Sequence, residues 1–220
     1  MRRALARDYA RQWLRSWPAR WRELRAPRRH QAAWRGGYGD DARPTRAIAF
    51  EAALRVAELL GVGLAYAAAE ILLAGGRYRR LTPGERRFTA RFFSPRELDV
   101  AVVDEGARVA ARRFGVAYVS GRVIKSDGPL SPPVLAHELT HTRQFARWGW
   151  AYAAKCLAAQ WWGGGYGYPG ELLADRGETG PHPRLNGEQE AARLEDVALL
   201  ACGWPPRHAR AAARRRPGLG

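Results

Sequence analysis

The strongest constraint on how this chain folds is the stretch 131–149, SPPVLAHELTHTRQFARWG. Ser131 is an N-cap residue. Pro132 and Pro133 sit in a first helical turn, where a missing N–H costs nothing, and Gly149 stops the helix. Val134, Leu135, Leu139 and Phe145 give it apolar faces. On such a helix His137 and His141, four apart, share a face with ~6 Å between Cβ atoms. Two imidazoles so placed can converge on one Zn²⁺ at ~2.0–2.1 Å each. Glu138, one residue round, reaches a water beside that ion rather than the ion, and can take its proton as a general base. With 5 His in the chain, a His-Glu-x-x-His string arises by chance only about 0.007 times. Two incidental histidines on a surface helix are therefore a poor reading.

A third protein ligand has to come from elsewhere. Positions 144 and 147 are Gln and Arg, so no Gly-x-x-His continuation follows the motif. His182 and the carboxylates of a later helix, 187–202, are the candidates. A glutamate on a charged helix ordinarily faces solvent, and the spacing lets only one serve: Glu188 and Glu190 project ~200° apart, and Glu195 lies ~10 Å along the axis from Glu188. Glu188 with Ala191 has the Glu-x-x-Ala form in which many His₂Glu zinc peptidases present their ligand, which favours Glu188.

The rest of the chain is read by period and punctuation. Residues 45–74 give a buried amphipathic helix, with Glu51, Arg55 and Glu58 on one polar face and an uncharged core of 11 residues, and with Glu70 interrupting the ~20 apolar residues a membrane span would need. Residues 84–97 give a short helix, 98–104 a strand, and 116–120 with 122–125 a hairpin around Ser120-Gly121. Helices follow at 131–148, 151–162 and 187–202, with a Gly-rich loop at 163–170. Tyr166 and Tyr168 in that loop are candidates to stabilise an oxyanion. The expected fold is α+β and mainly helical, with a small hairpin or sheet before the HExxH helix and a later helix supplying the third ligand.

Charge marks the flanks. The net +16 is concentrated in residues 1–46, with 13 Arg against 4 acids, and in 207–220, with 5 Arg and no acid. The expected organisation is a basic N-terminal helix and linker (1–46), a central domain (47–206, core 95–202) and a basic, disordered tail (207–220). In the first helix Tyr9, Trp13, Trp17 and Trp21 recur every fourth residue, as do Arg3, Arg7, Arg11 and Arg15. Such a helix suits an interface, an acidic partner or the chain's own domain. Nucleic acid is disfavoured, because the charge lies outside the core and no binding motif accompanies it. Cys156 and Cys202 sit in apolar helical stretches and read as free thiols. The charged N-terminus lacks the apolar run of a signal peptide.

From about 95 to 202 the chain resembles the HExxH zincin-like, gluzincin-like proteins of the bacterial eCIS core domain group, found near contractile injection systems and polymorphic toxins. The resemblance rests on VLAHELTHTRQF, on Gly165-Tyr166-Gly167-Tyr168 and on LNGEQEAARLEDV. It implies a zincin fold, zinc held by His137, His141 and Glu188, and Glu138 as base in peptide-bond hydrolysis of a peptide or protein substrate. It also implies a bacterial cytoplasmic protein, linked to a secretion apparatus or exported without a signal peptide. The alternative it leaves is a catalytically idle zincin-fold assembly module. The aspartate that gluzincins commonly carry four residues after the ligand glutamate is replaced here by Ala192, and Asp196 is the substitute orienting carboxylate.

Overall fold

The computed structural model describes residues 76–107, 116–149, 151–162, 165–173, 180, 182 and 185–210, with parts of two earlier helical segments, within 3–21 and 49–65. The expected linker at 26–46, Glu70 and the tail beyond 210 fall outside these residues. The elements are β1 (Tyr78–Arg79), α1 (Pro83–Thr89), α2 (Pro95–Val100), β2 (Val102–Asp104), β3 (Tyr118–Ser120), β4 (Val123–Lys125), α3 (Pro132–Trp148), α4 (Ala151–Trp162), β5 (Tyr168–Pro169), a 3₁₀ turn (Gly170–Leu173), α5 (Gly187–Ala201) and β6 (Ala209–Arg210). The fold is α+β with a small mixed sheet.

Capping explains where the short helices begin. Thr82 with Glu85 starts α1 and Ser94 with Glu97 starts α2, each a reciprocal capping box with a proline in the first turn. The second box accounts for one departure from expectation. Leu98, Asp99 and Val100 complete α2, and the strand expected over 98–104 begins only at Val102.

The hairpin forms as read, with Tyr118 opposite Lys125 and Ser120 opposite Val123 across Gly121, whose φ is 67°. β2 pairs in parallel with β4 and antiparallel with β1, giving the order β1-β2-β4-β3. A buried ion pair joins the two central strands, with Lys125 Nζ 3.3 Å from Asp104 Oδ2. Asp104 Oδ1 also accepts from the backbone N–H of Arg77 and Gly106. A Cβ on Gly76 would lie 2.2 Å from this carboxylate, so only glycine fits there.

Val102, Val103, Val123 and Ile124 form a core with Leu135, Leu139 and Phe145 of α3. Full burial of a leucine such as Leu135 is worth ~1.5–3 kcal/mol, so the apolar face of α3 is what seats its histidine face. α3 packs on β3 and β4, on α1 and α2, and most extensively on α5. α5 is capped by Asn186 with Gln189 and is buried on every face from Gly187 to Leu199. The Tyr152 hydroxyl donates to Val119 O, tying α4 to the sheet.

The ordered body runs past the boundary expected at 206. Asp196 is fully buried and accepts from the backbone N–H of Arg207 (2.7 Å), His208 (2.9 Å) and Ala209 (2.8 Å). Tyr168 pairs with Ala209 and Pro169 with Arg210. At the other end, Trp17 Nε1 donates to Leu59 O (3.3 Å), and Phe50 packs on Trp161 with 5.4 Å between ring centroids. Among the described residues no helix is long and apolar enough to cross a membrane.

Candidate metal centre

α3 presents His137 and His141 on one face, both buried, with their Nε2 atoms 3.2 Å apart. α5 brings Glu188 against them, its Oε2 3.8 Å from His137 Nε2 and 3.6 Å from His141 Nε2. The three ligand atoms lie within 4.8 Å of one another, and His182 is not part of this group. Ligands at ~2.0–2.1 Å in tetrahedral geometry stand ~3.3 Å apart. The observed separations approach that value and are too long, at the carboxylate, for a direct hydrogen bond. Glu188 Oε2 has no hydrogen-bond partner among the described residues although it is buried. An orphaned carboxylate oxygen facing two imidazole nitrogens is what a His₂Glu cation site leaves when protein atoms alone are considered. The residues fit zinc.

Each donor is held from behind. Gln144 Oε1 sits 2.9 Å from His141 Nδ1, while Gln144 Nε2 donates to Gly187 O (2.9 Å), so α3 and α5 share one side chain. A Cβ on Gly187 would meet Cys156 Sγ at 3.1 Å and Gln144 Oε1 at 3.3 Å, so any other residue would push these two side chains back by a few tenths of an ångström. Glu195 Oε2 stands 3.0 Å from His137 Nδ1, an ion-pair distance without aligned hydrogen-bond geometry, and 3.3 Å from His208 Nε2. Both imidazoles thus have a polar group at Nδ1, which turns Nε2 toward the cluster. The carboxylate behind His137 is Glu195; the sequence reading gave that place to Asp196, whose carboxylate is taken up by the C-terminal backbone and Tyr168. On the third donor, Gln160 Nε2 donates to Glu188 Oε1 (3.0 Å), leaving Oε2 for the cluster.

Glu138 is buried beside the histidines, and its Oε2 lacks a partner among the described residues. Burial is the largest influence on it and raises its pKa; the neighbouring imidazoles work the other way. Burial also raises Glu188, but His141 and His137 outweigh it, and Glu188 stays below the ordinary carboxylate value. The two carboxyls are therefore pushed in opposite directions, Glu188 toward its ionised form and Glu138 toward its protonated form. Burial pushes the Cys156 thiol up to about 11, so it stays protonated although Sγ lies 3.7 Å from His141 Nδ1. Glu190 is buried rather than solvated, with Oε2 3.5 Å from Gln144 Nε2.

The two tyrosines differ. The Tyr166 ring lies 5.8 Å from that of His137 and 5.8 Å from that of His208, with its hydroxyl accepting from Gln160 Nε2 (3.1 Å). Burial, then the Glu188 charge, push its pKa up to about 12, so it holds its proton. Tyr168 is not brought to the cluster: it is fully buried with Leu172 and Leu185, and its hydroxyl donates to Asp196 Oδ2 at 2.9 Å. Sequence reasoning missed Gln144, Gln160 and His208. Gln144 was legible in principle, three residues after His141 on the same helix. His208 was not, because it follows a double proline that reads as the end of the body.

Comparisons with protein-family models, with curated proteins and with solved structures give no match to this chain.

Proposed function

We propose that this protein is a zinc-dependent metallopeptidase of zincin type. The observation that carries the reading is the buried His137–His141–Glu188 cluster, with the Glu188 Oε2 and the adjacent Glu138 Oε2 both without a partner among the described residues. His137, His141 and Glu188 would hold the ion. A bound zinc would supply Lewis-acid polarisation of a carbonyl and a lowered pKa for water. Glu138, its affinity for a proton raised by burial, takes a proton from water and returns it to the leaving amine. Tyr166 keeps its hydroxyl proton, and because that oxygen accepts from Gln160, the proton is free to point away from Gln160 at a developing oxyanion. The short mixed sheet beside α3 suits an extended peptide as substrate. This reading agrees with the resemblance to the eCIS core domain group, and so with a link to a bacterial secretion or injection system. The intact, buried Glu138 favours it over an idle assembly module, which needs no base.

The test pairs metal analysis with peptide-library cleavage, wild type against Glu138→Gln. Both proteins should retain about one zinc per chain after dialysis, and only wild type should cleave. Zinc-loaded wild type that cleaves nothing would favour the assembly module. Absence of zinc would end both readings.

A further inference from the structure

We propose that the N-terminal helical segments dock this protein on an anionic lipid bilayer. Arg3, Arg7, Arg11 and Arg15 are all exposed and recur every fourth residue, so they form one slowly drifting basic row. Beside it, large apolar side chains also face water. Leu14 is 63% exposed, and Trp17 (41%) and Trp21 (39%) stay exposed while stacking parallel at 6.1 Å. The aromatic row thus meets the chain on one side, where Trp17 bonds to Leu59 and Trp13 lies against Gly61, and meets water on the other. The segment it rests on repeats the pattern. Ala49, Ala52, Ala53, Val56 and Leu60 fall at i, i+3, i+4, i+7 and i+11, a single helical stripe, and all five are exposed, Leu60 at 77%. Leu64 of the same segment packs against the core instead. An apolar stripe of this kind is normally covered.

The choice of occupant follows from charge and apolarity together. Residues 1–46 carry 13 Arg against 4 acids. A second copy would bring like charge to like charge. A nucleic-acid backbone would satisfy the arginines but would leave Leu14, Val56 and Leu60 in water. An anionic bilayer meets both needs: arginines at the headgroups, tryptophans at the interface, aliphatic side chains just beneath. With no described helix able to cross a membrane, the segments would lie on the surface. The inference is independent of the metal centre.

The experiment is co-sedimentation of the full chain with phosphatidylcholine vesicles and with vesicles of phosphatidylcholine mixed with phosphatidylglycerol. Each basic residue near an anionic surface strengthens binding about fivefold. Replacing Arg3, Arg7, Arg11 and Arg15 together by Gln should therefore weaken binding to mixed vesicles at least tenfold. Leu14→Ser with Leu60→Ser should weaken it at unchanged charge. Circular dichroism and melting temperature, unchanged in both variants, separate lost binding from lost folding. The proposal is overturned if the chain ignores mixed vesicles, if it binds both vesicle types equally, or if neither variant changes binding. It is also overturned if the full chain shifts a DNA duplex or self-associates through this face without binding vesicles.

Discussion

Glu188 and Glu195 stand two turns apart on α5, and the structure gives them different tasks around the same pair of imidazoles. Glu188 offers an orphaned oxygen to both Nε2 atoms; Glu195 stands behind His137 at Nδ1. Glu188→Ala and His141→Ala should each abolish zinc retention after dialysis against a weak chelator, because a three-ligand site cannot spare one donor. Glu195→Ala should keep zinc at saturation but weaken it ~10–100-fold, the usual cost of losing a partner behind a ligand. Competitive titration with a chromophoric chelator separates the two. If Glu195→Ala empties the site while Glu188→Ala leaves it filled, the roles are reversed. Glu138→Gln should hold zinc normally and lose ~10²–10⁴-fold in turnover. Gln160 bonds both Glu188 and Tyr166, so Gln160→Leu should disturb two groups at once. Its kcat should fall about as far as that of Tyr166→Phe, with zinc affinity also reduced; a kcat equal to wild type would show that Gln160 positions neither.

At the scale of elements, the link between α2 and α3 makes acid sensitivity predictable. Glu97 caps α2 through Ser94 and pairs with Arg143 of α3, its Oε1 2.6 Å from Arg143 Nε. Partial burial pushes Glu97 up, but the Ser94 N–H and hydroxyl and the Arg143 charge outweigh it, and its pKa is lowered. A carboxylate with a lowered folded pKa contributes stability above its unfolded value of ~4.3, and loses it as pH falls through the folded value. The metal-free protein should therefore lose melting temperature below about pH 4. Glu97→Gln should melt lower at neutral pH and change less on acidification; an equal acid response in both would remove Glu97 from the account. Sequence patterning resolved the long elements here. α3 and α4 lie where period and glycine stops put them, and α5 begins at Gly187 as expected, because each is marked by its own residues. The sheet was half legible. The β3–β4 hairpin is local and announces itself at Gly121, whereas the β1–β2 and β2–β4 pairings join residues more than 20 positions apart, as Tyr78 with Asp104 does. Nothing in a window of local pattern encodes such pairings. The His137–His141–Glu188 cluster was legible because a helix converts spacing into direction; the groups behind it were not, since Glu195 and His208 depend on how α5 and the C-terminal strand settle on α3.

For the whole molecule, two attachments at opposite ends of the chain differ in what they should be worth. At the C-terminal end, Asp196 gathers Arg207, His208 and Ala209 by their backbone N–H groups and also takes the Tyr168 hydroxyl. Hydrogen bonds to a buried charge contribute ~1.5–3 kcal/mol each in favourable cases, and a buried carboxylate stripped of donors is costly. Truncation after Pro206 should destabilise strongly, and Asp196→Asn should do the same. The two changes combined should cost far less than their sum, because they remove one network. At the N-terminal end the first helix meets the rest of the chain at Leu59 and Gly61, by way of Trp17 and Trp13. The segment behind them is anchored more deeply, with Leu64 against the core and Phe50 on Trp161. Deleting residues 1–44 should therefore leave a chain that folds, melts within a few degrees of the full protein and holds zinc with the same affinity. Deleting 1–75 removes Phe50 and Leu64 as well, uncovers Trp161 and part of the core, and should lower the melting temperature clearly. Differential scanning calorimetry with zinc analysis on both truncations decides the matter. A 1–44 deletion that fails to fold or loses zinc would make the first helix a structural part of the core, with its aromatic row committed inward rather than to a partner outside the chain.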